Sequence, residues 1–556
     1  MSYKAEKLEY KIGILGCPSM HNVEWNSDNV KQLKDYGFNE IQLNIAWGAR
    51  PGDDPLNLED VVLTESNKDE IKHFTSTPER IEERVKELRR RIKICKEEGM
   101  RTLFHFGAPY NGISGYKNEK LSKCLLDGHT QQYYVEMLKA FAIKFKGVDD
   151  LLIYTYDQDA WLCDEFGVCE NCYGIPLHKR VTDFINLLGQ TWSEVNSGGR
   201  LWWEPWELSA GQALKCVDSL NSEHIGLMLH SNIAEVMATL PVDRYVKNMC
   251  SLANEKGIPV IIEGFFGAAS EEVEPYTHLA HPLVTFRQLK AMNNVNGVVG
   301  VKEYFGLIPT KEDPNLEITS IFFKMPDIDE KGALNWIANK YGPCKSTIID
   351  FWVKCSQGME LFPWDVSWFA RKQGTCDISH TLNAAFLRGQ MCHTPSWESS
   401  RKCIFMKTDD LEPDPWLLED IGLRCNLAGG KMKEALEIGQ NMLASLPLAL
   451  TSDFKKGLEE LELFIKVCVS YSCHIRETNL ACLIRKRRTQ GAEVPKFIIS
   501  ELFKTFEEDI LNQGGSKEID EAIEVLKNDI DEFLKKYFTI PALDIWVKGP
   551  HTFTSR

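Results

Sequence analysis

No stretch of this 556-residue chain approaches the run of roughly 20 apolar residues that a membrane-spanning helix needs. The N-terminal segment MSYKAEKLEYK is polar and lacks the apolar core of an export leader, so the expected location is cytoplasmic. Positive charge is also short: 64 Lys and Arg stand against 80 Asp and Glu, a net charge of −16. That balance argues against a nucleic-acid partner, and the densest basic cluster, LIRKRRTQ near residue 485, reads as the solvated end of a helix. Gly-rich phosphate-binding signatures are missing, as is the G-x-S-x-G turn of serine hydrolases.

What is present is ordinary in bulk. An apolar fraction of 43% and a charged fraction of 26% fit a globular protein, and the length predicts two or three domains. The 17 cysteines are an odd number, scattered through expected strands and helices; without an export leader most read as reduced, buried small hydrophobes. The acidic field favours a neutral or cationic substrate, although a local Arg pocket could accept an anionic sugar.

Eight short apolar segments alternate with helical ones: KIGILG, FNEIQLNIAWG, MRTLFHFGAP, LLIYTYDQD, RLWWEPWE, IGLMLHSNIAE, PVIIEGFFG and GVVGVKEYFG. Gly-containing turns introduce most of them, which is the αβ junction of a barrel. Between the second and third, Ile81, Val85, Leu88, Ile92 and Cys95 recur at 4, 3, 4 and 3 spacing, one buried face of a helix that Gly99 stops. The expectation is an α/β fold: a (β/α)8 TIM barrel over residues 1–312. After Pro309 strand signals fade, and Phe454, Leu458, Leu461, Ile465 and Cys468 form one helical stripe. Residues 313–556 therefore read as an α-helical C-terminal domain.

In such barrels the C-terminal strand ends and the loops after them build the active site. Here those ends carry Asp157, Asp159, Glu204, Glu207, Glu235, Glu263 and Glu303, interleaved with Trp47, Trp161, Trp202, Trp203, Trp206, Phe265, Phe266 and Tyr304. Carboxylates among flat rings suit cleavage of a glycosidic bond, which needs an acid for the leaving oxygen and a second carboxylate as nucleophile or base. Asp159, Glu263, Glu235 and Asp157 are the expected catalytic residues. If the fourth strand runs far enough, its alternation puts Thr155, Asp157 and Asp159 on one side. Glu263 directly follows an apolar run, where an unpaired carboxylate is costly; the competing reading is an ion pair with Lys302. Expected substrate-binding residues are Trp47, Trp161, Trp203, Glu207, His230 and Tyr304. The first reading of His230 is a hydrogen-bonded core histidine, ahead of a catalytic role, and alternation keeps Trp202 and Trp203 from both lining a cleft.

The loop after the fourth strand carries Cys163, Cys169 and Cys172. This spacing offers three ligands of a structural zinc, with Cys124, His178 or another residue as the fourth; the alternative is a tightly packed loop of free thiols. No cofactor is expected to be required for catalysis.

The stretches LLIYTYDQDAWLCDEFGVCENCYG, RLWWEPWE, LHSNIAE and VIIEGFFG, together with the helical C-terminal part, resemble barrel glycoside hydrolases of the family 20 hexosaminidase and family 67 α-glucuronidase group. The resemblance covers most of the chain as architecture. The glucuronidase-like pattern implies Asp159 as acid, Glu235 and Glu263 handling the water, and inversion. The hexosaminidase-like pattern has an adjacent Asp-Glu after the fourth strand, where this chain has Asp157-Gln158-Asp159. The leading expectation is a glycosidase acting on short oligosaccharides or glycosides in carbohydrate metabolism. Two alternatives stand beside it. One is a metal-dependent sugar isomerase or lyase holding a cation with Glu207, Glu235, Glu263 and His230. The other is a non-catalytic carbohydrate-binding protein. The partner expected is a carbohydrate, with neither nucleic acid nor membrane, and a homo-oligomer through the helical part is left open.

Overall fold

The computed structural model describes residues 8–17, 23–44, 57–64, 78–109, 124–154, 165–167, 169–205, 208, 210–230, 244–270, 276–364, 415–514 and 517–537. All eight expected strands form: β1 (Tyr10–Ile14), β2 (Glu40–Gln42), β3 (Arg101–Gly107), β4 (Asp150–Tyr154), β5 (Leu201–Glu204), β6 (Ile225–His230), β7 (Val260–Gly264) and β8 (Val298–Glu303). They pair in parallel in sequence order, and β8 returns to β1, so the sheet is a closed barrel. Around it run α1 (Ser27–Tyr36), α2 (Leu58–Val61), α3 (Pro78–Glu97), α4 (Gly128–Lys144), α5 (Leu177–Val195), α6 (Ala210–Val217), α7 (Arg244–Glu255), α8 (Pro282–Asn293) and α9 (Pro314–Lys324). Helix α9 follows β8 and packs on α1 and α8, completing the eighth unit just past residue 312.

Local signals set these elements. The Asn26 side chain accepts the Asn29 amide at 2.9 Å to open α1, and Gly37, at φ +104°, closes it. Helix α3 runs on the predicted stripe, with Ile81, Val85, Leu88, Ile92 and Cys95 all buried.

Strand alternation divides the barrel into an outer and an inner layer. Outward residues such as Leu151, Ile153, Leu201 and Trp203 join the large core shared with the helices. Inward residues form a separate core of Ile12, Leu103, Leu152, Trp202, Met228 and Ile261. Trp202 fits because β6 offers Gly226 beside it: a Cβ there would lie 2.3 Å from the indole ring. Below this layer, at the strand starts, Arg101 reaches Asp150 at 2.8 Å and Glu40 at 3.5 Å, and both carboxylates are sealed from solvent.

Beyond α9 the described chain is helical: α10 (Glu330–Ile337), a 3-10 turn (Ala338–Cys344), α11 (Lys345–Leu361), α12 (Pro415–Met442), a short 3-10 turn (Leu443–Ser445), α13 (Leu448–Thr489), α14 (Lys496–Gln513), α15 (Lys517–Asn528) and α16 (Ile530–Tyr537). The expected stripe from Phe454 to Cys468 lies on the single 42-residue helix α13, roughly 60 Å long. Its first half belongs to the core shared with the barrel, and its end packs into a second core with α14, α15 and α16. Glu460 of α13 accepts the amides of Thr277 and His278 at 2.9 and 2.6 Å, which docks this helix onto the connection between β7 and α8.

Candidate active site

Above the apolar layer, the next inward positions are polar on seven of the eight strands. They are Gln42, His105, Tyr154, Glu204, His230, Glu263 and Lys302, with Ile14 completing the level on β1. Register places them side by side: Tyr154 pairs with Glu204, His230 with Glu263, and Glu263 with Lys302. Apart from Gln42, which follows Glu40, each lies two residues beyond an inward apolar or glycine position, so the same alternation that fills the barrel delivers them to its C-terminal mouth.

Their side chains form one network. His230 Nε2 lies 2.5 Å from Glu204 Oε1 and 2.9 Å from Glu263 Oε2. Lys302 Nζ donates to Glu263 Oε1 at 2.7 Å and to the Glu303 carbonyl at 3.0 Å. His230 Nε2 thus stands between the two carboxylates, and its ring is the contact that Glu263 Oε2 makes. Two more buried polar atoms at this level, Gln42 Oε1 and His105 Nε2, have no hydrogen-bond partner.

The charges separate along the network. Burial pulls the His230 imidazole down, but the Glu204 and Glu263 carboxylates outweigh it and hold it at about 10, an imidazolium. Burial raises Glu263, yet Lys302 and His230 overcome it and bring the carboxyl to about 2. Glu204 goes the other way, raised by burial and by the Glu263 charge. His105 is lowered to about 3 by burial and then by Lys302, so it is neutral. Such a group of buried charges costs several kcal/mol per ion to assemble, and sites with opposed pKa shifts are characteristic of catalysis.

Tyr304 covers one side, its ring 4.6 Å from that of His230 and 5.6 Å from that of Phe265. Glu303 points outward from the barrel interior and accepts the amides of Phe266, Phe305 and Gly306 at 2.7, 3.0 and 3.1 Å, so it fastens two rim segments.

Of the expected site residues, the structure brings Glu263, His230 and Tyr304 together. His230 is a hydrogen-bonded, largely buried histidine that bridges two carboxylates. Glu263 makes the ion pair with Lys302 that was its competing reading, and its other oxygen meets His230. Trp203 is a correction: it is fully buried in the layer between barrel and helices, because alternation turns Trp202 and Glu204 inward and Trp203 outward. β4 ends at Tyr154, and Asp157, Asp159, Glu235, Trp47, Trp161 and Glu207 lie outside the described residues. Glu204 was visible as a strand-end carboxylate without an assigned role. The signal was its position, two residues after the inward-facing Trp202. Gln42, His105 and Lys302 were missed as site residues, and each is a polar residue at an inward step of an apolar strand.

In the cysteine loop, Cys169 and Cys172 meet Cys124, with Sγ–Sγ separations of 3.7 Å for Cys169–Cys124 and 3.2 Å for Cys124–Cys172. His178 is not part of the group, and Cys163 lies outside the described residues.

The chain is thus a (β/α)8 barrel protein with a polar, charge-separated mouth and an appended helical region. No family model matches it, and no curated protein matches it in sequence. Among solved structures it is similar to a GH138 enzyme targeting pectin rhamnogalacturonan II, with TM-score 0.58 and 9% identity over 91% of this chain. This chain spans only 62% of that protein. A mutant of the Thermobaculum terrenum O-GlcNAc hydrolase aligns over 96% of this chain and 95% of its own, at 11% identity and TM-score 0.41. A glycoside hydrolase family 5 enzyme from Prevotella bryantii covers 58% of this chain with all of its own length, at 12% identity and TM-score 0.37. These structural neighbours are barrel glycoside hydrolases, and families 20 and 67 are not among those named. At such identities the GH138 likeness establishes the fold.

Proposed function

We propose that this protein is a glycoside hydrolase in which Glu263 is the nucleophile and Glu204 the acid and base. One observation carries the reading. Two carboxylates face the same mouth with oxygens within 4.8 Å of each other, and their environments push them in opposite directions. The ionised Glu263 attacks the anomeric carbon. As the glycosidic C–O bond breaks, the Glu204 proton passes to the departing oxygen. Glu204 then takes a proton from water, whose oxygen displaces Glu263 and releases the sugar with its anomeric configuration retained. Lys302 and the His230 imidazolium keep Glu263 ionised. Gln42 and the neutral His105 supply open hydrogen-bonding atoms for sugar hydroxyls, and Tyr304 forms an apolar wall. The carbohydrate chemistry of the structural neighbours supports the substrate class.

This assignment differs from the inverting set implied by the family 67 resemblance, in which Asp159 is the acid. Hydrolysis of a panel of aryl α- and β-glycosides, uronides and N-acetylhexosaminides by wild type, Glu204→Gln, Glu263→Gln and Asp159→Asn separates them. Glu263→Gln should lose turnover on every substrate. Glu204→Gln should lose it for poor leaving groups while still reacting with activated ones. Full activity of Glu204→Gln on both kinds would transfer the acid role elsewhere.

Glu204, His230 and Glu263 also offer three donor atoms within 4.8 Å, a set that suits a divalent cation in the isomerase or lyase reading. Against it stands Lys302, whose ammonium at 2.7 Å occupies a Glu263 lone pair and repels a cation. Turnover abolished by chelator and restored by a divalent metal would favour that reading instead.

A further inference from the structure

The mechanism leaves the cysteine cluster unused. We propose that Cys124, Cys169 and Cys172 hold a structural zinc ion that ties the start of α4 to the loop before α5 on the rim of the barrel. Cys124 belongs to the connection after β3, and Cys169 and Cys172 to the connection after β4, so chain separations of 45 and 48 residues are closed at one point. Tetrahedral coordination with Zn–S bonds of about 2.3 Å sets neighbouring sulfurs about 3.8 Å apart. The Cys124–Cys169 separation is 3.7 Å and Cys124–Cys172 is 3.2 Å, far beyond the ~2.05 Å of a disulfide.

The local backbone is shaped for this. Cys172 and Tyr173 both donate their amides to the Cys169 carbonyl at 3.1 Å, and Gly174 takes the left-handed conformation at φ +72° that lets the chain turn back. Cys172 and Cys124 are buried, while Cys169 stands partly open. Cys95 and Cys250, by contrast, are buried in the apolar core. Among the described residues no fourth side chain joins the three.

The test is metal content of the untagged full chain, which does not depend on turnover and so stands or falls apart from the glycosidase reading. Elemental analysis should find about one zinc per chain. Cys124→Ser and Cys172→Ser should lose it, and Cys250→Ala should keep it. Should the serine variants fail to fold, the wild type decides: a mercurial reagent titrating thiols should release the zinc in step. Cobalt exchanged into the site should show sulfur-to-metal charge-transfer absorption. Wild-type protein purified with zinc present but holding less than a tenth of an equivalent would overturn the proposal. So would a Cys124–Cys172 disulfide in the unreduced peptide map.

Discussion

The Lys302 ammonium lies 2.7 Å from Glu263 Oε1, with both side chains all but sealed from solvent. The second Glu263 oxygen faces the His230 ring at 2.9 Å, so the carboxylate lies between two cations. Replacing Lys302 by Met removes the cation that most strongly lowers the Glu263 carboxyl. Its pKa should rise, and the acid limb of the kcat/KM profile should move to higher pH by about 1–3 units. A pH–rate profile reads this directly, and an unmoved acid limb would reduce Lys302 to a packing residue.

The separation of Glu204 and Glu263 predicts stereochemistry. Their oxygens lie within 4.8 Å, nearer the ~5–5.5 Å of retaining pairs than the ~6.5–9.5 Å that leaves room for a water. Proton NMR of the first sugar released should show the substrate's own anomeric configuration. Glu204→Gln should lower kcat/KM on an unactivated glycoside by about 10²–10⁴-fold.

Burial raises the Glu303 carboxyl from 4.5 to about 7 despite three amide donors. Its folded pKa is above its unfolded one, so its contribution to stability is complete below about pH 4.5 and is lost as pH rises through 7. The swing is about 3 kcal/mol at most. Denaturant midpoints of wild type and Glu303→Gln, compared across this range, should diverge in favour of the variant as pH rises.

At the opposite end of the barrel, Arg101→Met would leave Asp150 and Glu40 buried without their cation. Breaking a buried pair costs roughly 3–5 kcal/mol, and the partial exposure of Arg101 places the expected loss near the lower figure. Urea unfolding measures it, while KM should hold steady because the apolar layer separates this cluster from the mouth.

Trp203 offers a sharp contrast with a sugar-stacking residue. Trp203→Ala should cost about 3–5 kcal/mol of stability, as emptying a fully buried site does. It should leave the KM of the folded fraction unchanged.

Much of the fold was legible because a barrel is built from local signals. The strands are continuous apolar runs, the helices carry 3.6-residue stripes, and Gly99 and Gly37 mark ends that the structure keeps. The site was legible only in part. Glu263 stood out because a carboxylate directly after Val260, Ile261 and Ile262 has few inexpensive places to go. Trp203 misled because the sequence shows two adjacent tryptophans but not which is inward. A single step of alternation exchanges them, and with them the fate of Glu204.

By itself, then, the sequence determined the eight-fold repeat, the helical sequel and a row of polar residues ending apolar strands, since these depend on composition and spacing along the chain. Only the tertiary structure decided which of them share the mouth. Closing the barrel set the register that places His230 beside Glu263 and Glu263 beside Lys302, residues 33 and 39 positions apart in the chain. It also gathered Cys124 to Cys172 across 48 residues. Charge separation and metal-ligand geometry depend on distances of a few ångströms, and those distances exist only once the strands have closed on one another.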